Sequence, residues 1–181
     1  MTDALPARGP EDGGSGFWDY SLKVYADPAT ARTCLELQNQ FGLDVNLLLF
    51  CLYAGHHGHA LSTDDLRRLD QQVHAWRAQV VQPLRRVRSW LKSTATDAAA
   101  EALRRQVLQT ELAAEHHQQR WMEHALPIAP GPRDQKLAAA NLAHYVDALE
   151  RQPDAALQAA LSTLCRLSTQ TLERLAPGAA D

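Results

Sequence analysis

Hydrophobic positions along this chain recur every three or four residues, and no strand-like alternation runs longer than a few positions. The run Leu43-Asp44-Val45-Asn46-Leu47-Leu48-Leu49-Phe50-Cys51-Leu52-Tyr53-Ala54 breaks the pattern, being apolar on every side apart from Asp44 and Asn46. A helix without a solvent face has to sit inside a bundle with neighbours on several sides. Asp44 and Asn46 therefore enter surroundings in which unpaired polar groups are costly.

The remaining elements follow from start and stop signals. Phe17, Trp18, Leu22, Val24 and Tyr25 predict a short helix over 16–26. Asp27-Pro28 opens a second helix, with Asp as N-cap and Pro at the first helical position, and Gly42 supplies its stop. Asp44 caps the apolar third helix, which ends near Gly55-His56-His57-Gly58. Ser62 or Thr63 opens a fourth helix with the seam Leu66, Leu69, Val73, Trp76, Val80, Leu84, Val87 and Leu91. Pro83 lies inside that seam and predicts a kink or break just before it. A fifth helix over 97–125 places Leu103, Val107, Thr110, Ala114, His117 and Trp121 on one face. Two more follow near 134–150 and 153–175. The expected fold is all-α: one bundle of six to seven helices around a buried central helix. Residues 1–15, rich in Pro and Gly, read as a disordered tail. The helical core is expected over 16–126, a Pro-rich linker over 127–132, and a C-terminal helical pair over 133–176 packed on the core.

Composition narrows the class. With 181 residues, 45% apolar and 22% charged, the chain can bury one sizeable core. A net charge of −3 gives no reason to expect nucleic-acid binding over the whole surface. Cys34, Cys51 and Cys165 are far apart, lie in apolar helical stretches and read as reduced core thiols. No N-terminal signal segment and no apolar run long enough for a membrane span is visible, so a soluble cytoplasmic protein is expected.

Candidate chemistry is sparse. His56-His57-Gly58-His59, with Cys51 one turn earlier, offers metal-ligand types, but adjacent histidines at a helix end rarely converge and the spacing matches no structural zinc pattern. His116-His117 with His124 is no better. Glu111 and Glu115 share a helix face, yet the Glu-x-x-His partners of di-metal bundles are missing. Nothing matches a phosphate-binding loop, a dinucleotide fingerprint or a hydrolase elbow. No cofactor or metal is expected, and no catalytic residue is assigned.

Charge is the most asymmetric feature. Between Thr33 and Asp65 lie four acidic residues (Glu36, Asp44, Asp64, Asp65) and no basic one; between Arg77 and Lys92 lie five basic residues and no acidic one. On an unbroken helix Arg77, Arg85, Arg88 and Lys92 fall within about 80° of arc. Such a stripe suits an anion, an acidic protein surface or a phosphorylated ligand. The competing reading is internal pairing with Glu111 and Glu115, or plain solvation.

The residues Phe17-Trp18-Asp19-Tyr20-Ser21-Leu22, Tyr25-Ala26 and Leu43-Asp44-Val45-Asn46-Leu47-Leu48-Leu49-Phe50-Cys51, with Trp76-Arg77, Val80-Val81, Pro83-Leu84-Arg85 and Val87-Arg88, resemble a family of small proteobacterial proteins classed as a domain of unknown function. The resemblance spans roughly 16–124 and stops before the C-terminal helices. It implies a bacterial, cytoplasmic setting and carries over no activity.

The expected role is a non-enzymatic interaction or regulatory module, with a protein partner on the surface of Arg77, Arg85, Arg88 and Lys92. The alternative is a small-molecule-binding protein or enzyme with a pocket at Trp18, Tyr20, Asp44, Asn46 and Trp76. A concave cavity touching Asp44 and Asn46, larger than one water, is the observation that favours this alternative.

Overall fold

The computed structural model describes residues 16–94 and 96–175; the expected 1–15 tail lies outside them. The helices are α1 (Gly16–Tyr25), α2 (Pro28–Phe41), α3 (Val45–His56), α4 (Thr63–Trp76), a π turn (Arg77–Val81), α5 (Gln82–Thr94), α6 (Ala98–Ala125), α7 (Gln135–Ala148) and α8 (Ala155–Arg174). No strand occurs among the described residues. The fold is an all-α bundle.

Local chemistry sets the boundaries. The Asp27 side chain accepts from the Thr30 N–H at 2.9 Å with Pro28 behind it, and Gly42 stops α2 at φ 66°. Only a residue at ease with positive φ closes the helix there. Ser62 and Asp65 form a reciprocal capping box at the start of α4, and Asp97, Asp134 and Asp154 cap α6, α7 and α8.

The third helix occupies the centre as its sequence requires: every residue from Asn46 to His56 is buried. It contacts α1, α2, α6, α7 and α8. From α1, Phe17 meets Phe50 edge-on at 5.1 Å and Tyr53 at 5.2 Å. The most extensive packing is between α3 and α7, which approach closely because Gly55 has no side chain. A Cβ at Gly55 would stand 2.2 Å from the Ala138 backbone nitrogen. Asn141, fully buried on α7, accepts from the Leu61 N–H at 2.8 Å and donates to the Cys51 and His59 carbonyls. It ties the stretch after α3 to α7 and gives the Leu61 N–H a partner inside the bundle. The segment after α6 is held against the end of α3 by His59 on the Ala129 carbonyl and by the Asp134 N–H on the Gly55 carbonyl.

The disturbance expected before Pro83 takes a definite form, and one expectation is corrected. Pro83 does not break the fourth helix; the rod widens into a π turn just before it, with the Gln82 N–H reaching the Arg77 carbonyl five residues back. The missing proline N–H and the clash of its ring with the preceding turn are absorbed there. One extra residue in a turn rotates everything downstream by about 100°. The seam therefore shifts: Val81 is buried, whereas Val87 is 47% exposed. On α6 the buried face is also not the apolar one. Leu103 is exposed, and Arg104, Glu111, Gln118 and Gln119 turn inward with Ala114 and Met122.

Candidate functional site

The site is built where the start of α3 meets α6 and the rod formed by α4, the π turn and α5. Asp44 is the hub. Its Oδ1 accepts from the Asn46 and Leu47 N–H groups at 2.7 and 3.3 Å, capping α3. Its Oδ2 accepts from Arg77 Nη1 and Gln118 Nε2, both at 3.0 Å. The same Arg77 nitrogen lies 2.7 Å from Asp70. Burial opposes the charge on Arg77, but Asp44 and Asp70 hold its pKa above the ordinary guanidinium value. The Asp44 N–H donates to the hydroxyl of Tyr145, whose pKa burial raises well above normal.

A second charge cluster faces α6. Arg85 donates from Nε to Glu111 at 3.2 Å, from Nη2 to Glu115 at 2.5 Å and from Nη1 to Gln38. Arg88 grips both oxygens of Glu111. Burial raises the Glu115 pKa, Arg85 lowers it, and the neighbouring Glu111 raises it further; the net direction is upward.

Two cavities adjoin these clusters. The first, about 370 Å³, has apolar walls that include Trp18, Tyr25, Leu49 and Leu112, with Arg85, Arg88, Glu111 and Glu115 across from them. The second, about 340 Å³, is lined by Asp44, Asp70, Arg77, Gln118 and Tyr145 among others. Gln38, Val45, Asn46 and Arg85 belong to both and form the wall between them. Both volumes exceed the space of one water and reach the range of small-molecule sites.

Three residues that line these cavities each carry a buried oxygen without a hydrogen-bond partner, Ser21 Oγ and Gln119 Oε1 near the first and Gln118 Oε1 near the second, and these oxygens have almost no accessible surface of their own. Both glutamines spend their N–H groups on the start of α3, Gln119 donating to Asn46 at 2.8 Å and Gln118 to Asp44. Their carbonyl oxygens are left unpaired and closed off, a costly state in a protein interior.

The structure separates the sequence-derived candidates. Trp18 lines the first cavity, stacked on His116 at 4.5 Å; Asp44 lines the second and Asn46 both. Tyr20 and Trp76 line neither. The Tyr20 hydroxyl bonds His56 Nδ1 at 2.7 Å in the core, and Trp76 donates to the Ala114 carbonyl at 3.0 Å beside Trp121. The free basic stripe is also corrected. Arg77, Arg85 and Arg88 are committed to carboxylates inside the molecule, and only Lys92 of the four is exposed. The π turn removes the common arc by rotating α5 against α4, so Arg77 faces α3 while Arg85 and Arg88 face α6. The idea of a free anion site thereby loses its support. The paired arginines instead become cavity wall.

The histidines diverge. His56 bonds Tyr20 and Thr169, His57 the Tyr53 carbonyl and His59 the Ala129 carbonyl. Among the described residues no three His, Cys, Asp or Glu side chains come together as metal ligands. Ser21, Gln118 and Gln119 escaped the sequence reading because nothing local distinguishes an inward glutamine from a solvated one.

A protein-family model, described as a protein of unknown function (DUF2390), matches residues 16–122. The chain belongs to this family. The match contains α1 through most of α6, so all the charged residues of both clusters and every lining residue of the first cavity are family territory, while Tyr145 and the rest of α7 and α8 lie beyond it. No curated protein and no solved structure matches the chain. No helix among the described residues is long and apolar enough to cross a membrane.

Proposed function

We propose that this protein binds a small molecule in the cavity between α1, the start of α3, α5 and α6. The observation that carries the reading is the cavity itself, about 370 Å³, lined on one side by apolar residues and on the other by Arg85, Arg88, Glu111 and Glu115. Ligand sites combine an apolar enclosure with a few convergent polar groups, and this cavity combines Trp18, Leu49 and Leu112 with such groups. The Arg85–Glu111–Arg88–Glu115 cluster makes one wall rigid and electrically balanced, with two positive and two negative charges. The role is binding, with the charged cluster as scaffold. Three buried cysteines without disulfides, Cys34, Cys51 and Cys165, suit a reducing cytoplasm.

Small molecules released by denaturing the purified protein and identified by mass spectrometry test this reading. A compound retained by the wild type is expected to be missing from Leu112→Trp, which fills the cavity. Equal retention by both proteins would refute it. A protein partner is the second reading, favoured by Trp90, 64% exposed, and Val87, 47% exposed, one turn apart on α5.

A further inference from the structure

The charged cluster on the wall of the first cavity is not fully spent, and what it keeps over defines a ligand, provided that the cavity binds a small molecule as proposed above. Glu111 is occupied on both oxygens by Arg85 and Arg88. Arg88 uses Nε and Nη2 for this, and among the described residues its Nη1 has no hydrogen-bond partner. Glu115 accepts from Arg85 on Oε1, and its Oε2 likewise has no partner among them. Neither atom is closed off from water, in contrast to the carbonyl oxygens of Gln118 and Gln119, and the two side chains are 21% and 20% exposed. The wall therefore keeps one open positive and one open negative group. Arg88 is fixed on Glu111, and Glu115 stands one turn further, about 6 Å along α6. In an α-amino acid the ammonium and the carboxylate flank one carbon, and with a hydrogen bond of about 2.9 Å at each end they span about 6–9 Å. The two spacings match.

We propose that the cavity binds an α-amino acid with an apolar side chain, its carboxylate on Arg88 Nη1, its ammonium on Glu115 Oε2 and its side chain against Trp18, Leu22, Leu49 and Leu112. The charge balance points the same way. The cluster holds two arginines and two glutamates, so an anion alone or a cation alone adds an uncompensated charge to a partly buried wall, whereas a zwitterion adds none. Burial raises the Glu115 pKa against the pull of Arg85, with Glu111 adding to the rise, so this carboxylate gains from a positive group beside it. Tyr25, Asn39 and Ser89 bring uncharged groups to the same wall and leave that balance unchanged. A volume of about 370 Å³ has room for a molecule as large as phenylalanine.

Three compounds with one frame separate the cases: L-phenylalanine, phenethylamine, which lacks the carboxylate, and 3-phenylpropionate, which lacks the ammonium. Titrated calorimetrically into the full-length protein at neutral pH, phenylalanine is expected to bind at least about tenfold more tightly than either analogue, the ratio equivalent to one charge-assisted hydrogen bond. L-Leucine with isoamylamine and 4-methylpentanoate repeats the comparison on a smaller side chain. Glu115→Gln is expected to bring the advantage of the amino acid over the acid to near one while its advantage over the amine persists. Arg88→Met is expected to do the reverse, a crosswise split that a loss of structure does not produce. Should Arg88→Met fail to fold, the wild-type series and Glu115→Gln still decide. Equal binding of the amino acid and either analogue by the wild type would overturn the zwitterion and leave the cavity as a binding site. Tighter binding of the acid or of the amine would overturn it in favour of an anion or a cation site. Phenylalanine binding undiminished in Leu112→Trp would place the ligand outside the cavity and overturn the assignment as well. If neither amino acid bound, the assignment would be overturned, whereas the binding reading itself fails only if Leu112→Trp retains the same compounds as the wild type.

Discussion

Replacing Asp44 by Asn tests whether the hub is a helix cap or an electrostatic keystone. Asn caps a helix about as well as Asp, so the bonds to the Asn46 and Leu47 N–H groups survive the change. What disappears is the negative charge opposite Arg77 Nη1, at 3.0 Å in a pair whose side chains are 6% and 17% exposed. An amide nitrogen at that position would also point a donor at the donors of Arg77 and Gln118. Breaking a buried ion pair by removing one partner costs about 3–5 kcal/mol. Asp70 remains 2.7 Å from the same nitrogen and compensates part of the charge, which lowers the expected cost to about 2–3 kcal/mol. At a few degrees per kcal/mol for a domain of this length, the midpoint of thermal unfolding should fall by about 5–10 °C. Asp44→Ala loses the cap as well and should cost about 1 kcal/mol more.

Urea unfolding followed by far-ultraviolet circular dichroism gives these differences directly. The double change Asp44→Asn with Arg77→Met removes both sides of the pair, and its cost should fall short of the sum of the two singles by about 1–2 kcal/mol. If Asp44→Asn stays within about 0.5 kcal/mol of the wild type while Asp44→Ala loses about 1 kcal/mol, Asp44 is a cap and nothing more, and the hub is refuted.

Helix propensity alone says that Gly55→Ala should stabilise α3 by about 1 kcal/mol. The 2.2 Å approach to the Ala138 nitrogen reverses that sign, and a loss of at least about 2 kcal/mol in urea unfolding is expected. Asn141→Leu leaves the Leu61 N–H and the Cys51 and His59 carbonyls without their buried partner, so a loss of about 2–4 kcal/mol by the same assay is expected. Burial, with Arg133 and His57 nearby, lowers the His56 pKa from 6.5 to about 4. The unfolded chain takes up its proton first, so the stability due to neutral His56 is complete above pH 6.5 and disappears as the pH falls through 4. The difference is about 3 kcal/mol. Unfolding free energies measured from pH 7 to pH 4 should decline less steeply in His56→Gln, and an unchanged slope would contradict the assignment.

The residues of the hub show where sequence and structure divide the work. Asp27, Gly42, Asp44 and Ser62 act on backbone groups within a few positions, and each marks its helix boundary in the sequence as it does in the fold. The apolar run from Leu47 to Ala54 has no polar face to offer water, so its burial follows from composition alone. Partners across the chain carry no such local mark. Gln118 and Gln119 face inward only because Asp44 and Asn46, more than seventy positions away, offer acceptors there. Arg85 and Arg88 read equally well as a solvated stripe or as cavity wall until α6 brings Glu111 against them.

Pro83 draws the same boundary more sharply. The sequence determined that the helix ladder must be disturbed before it, because a missing N–H is a local fact. Whether the rod broke or widened was decided by what the two halves could bury, and the π turn lets Leu66, Leu69 and Val73 before it, Val81 at its end and Leu91 beyond it all reach the interior. By itself the sequence determined the helices, their caps and the one that must lie at the centre, since these depend on neighbours along the chain. Only the tertiary structure decided which charges neutralise one another, which polar atoms stay open and where a cavity remains, since these depend on distances between residues that the chain alone leaves free.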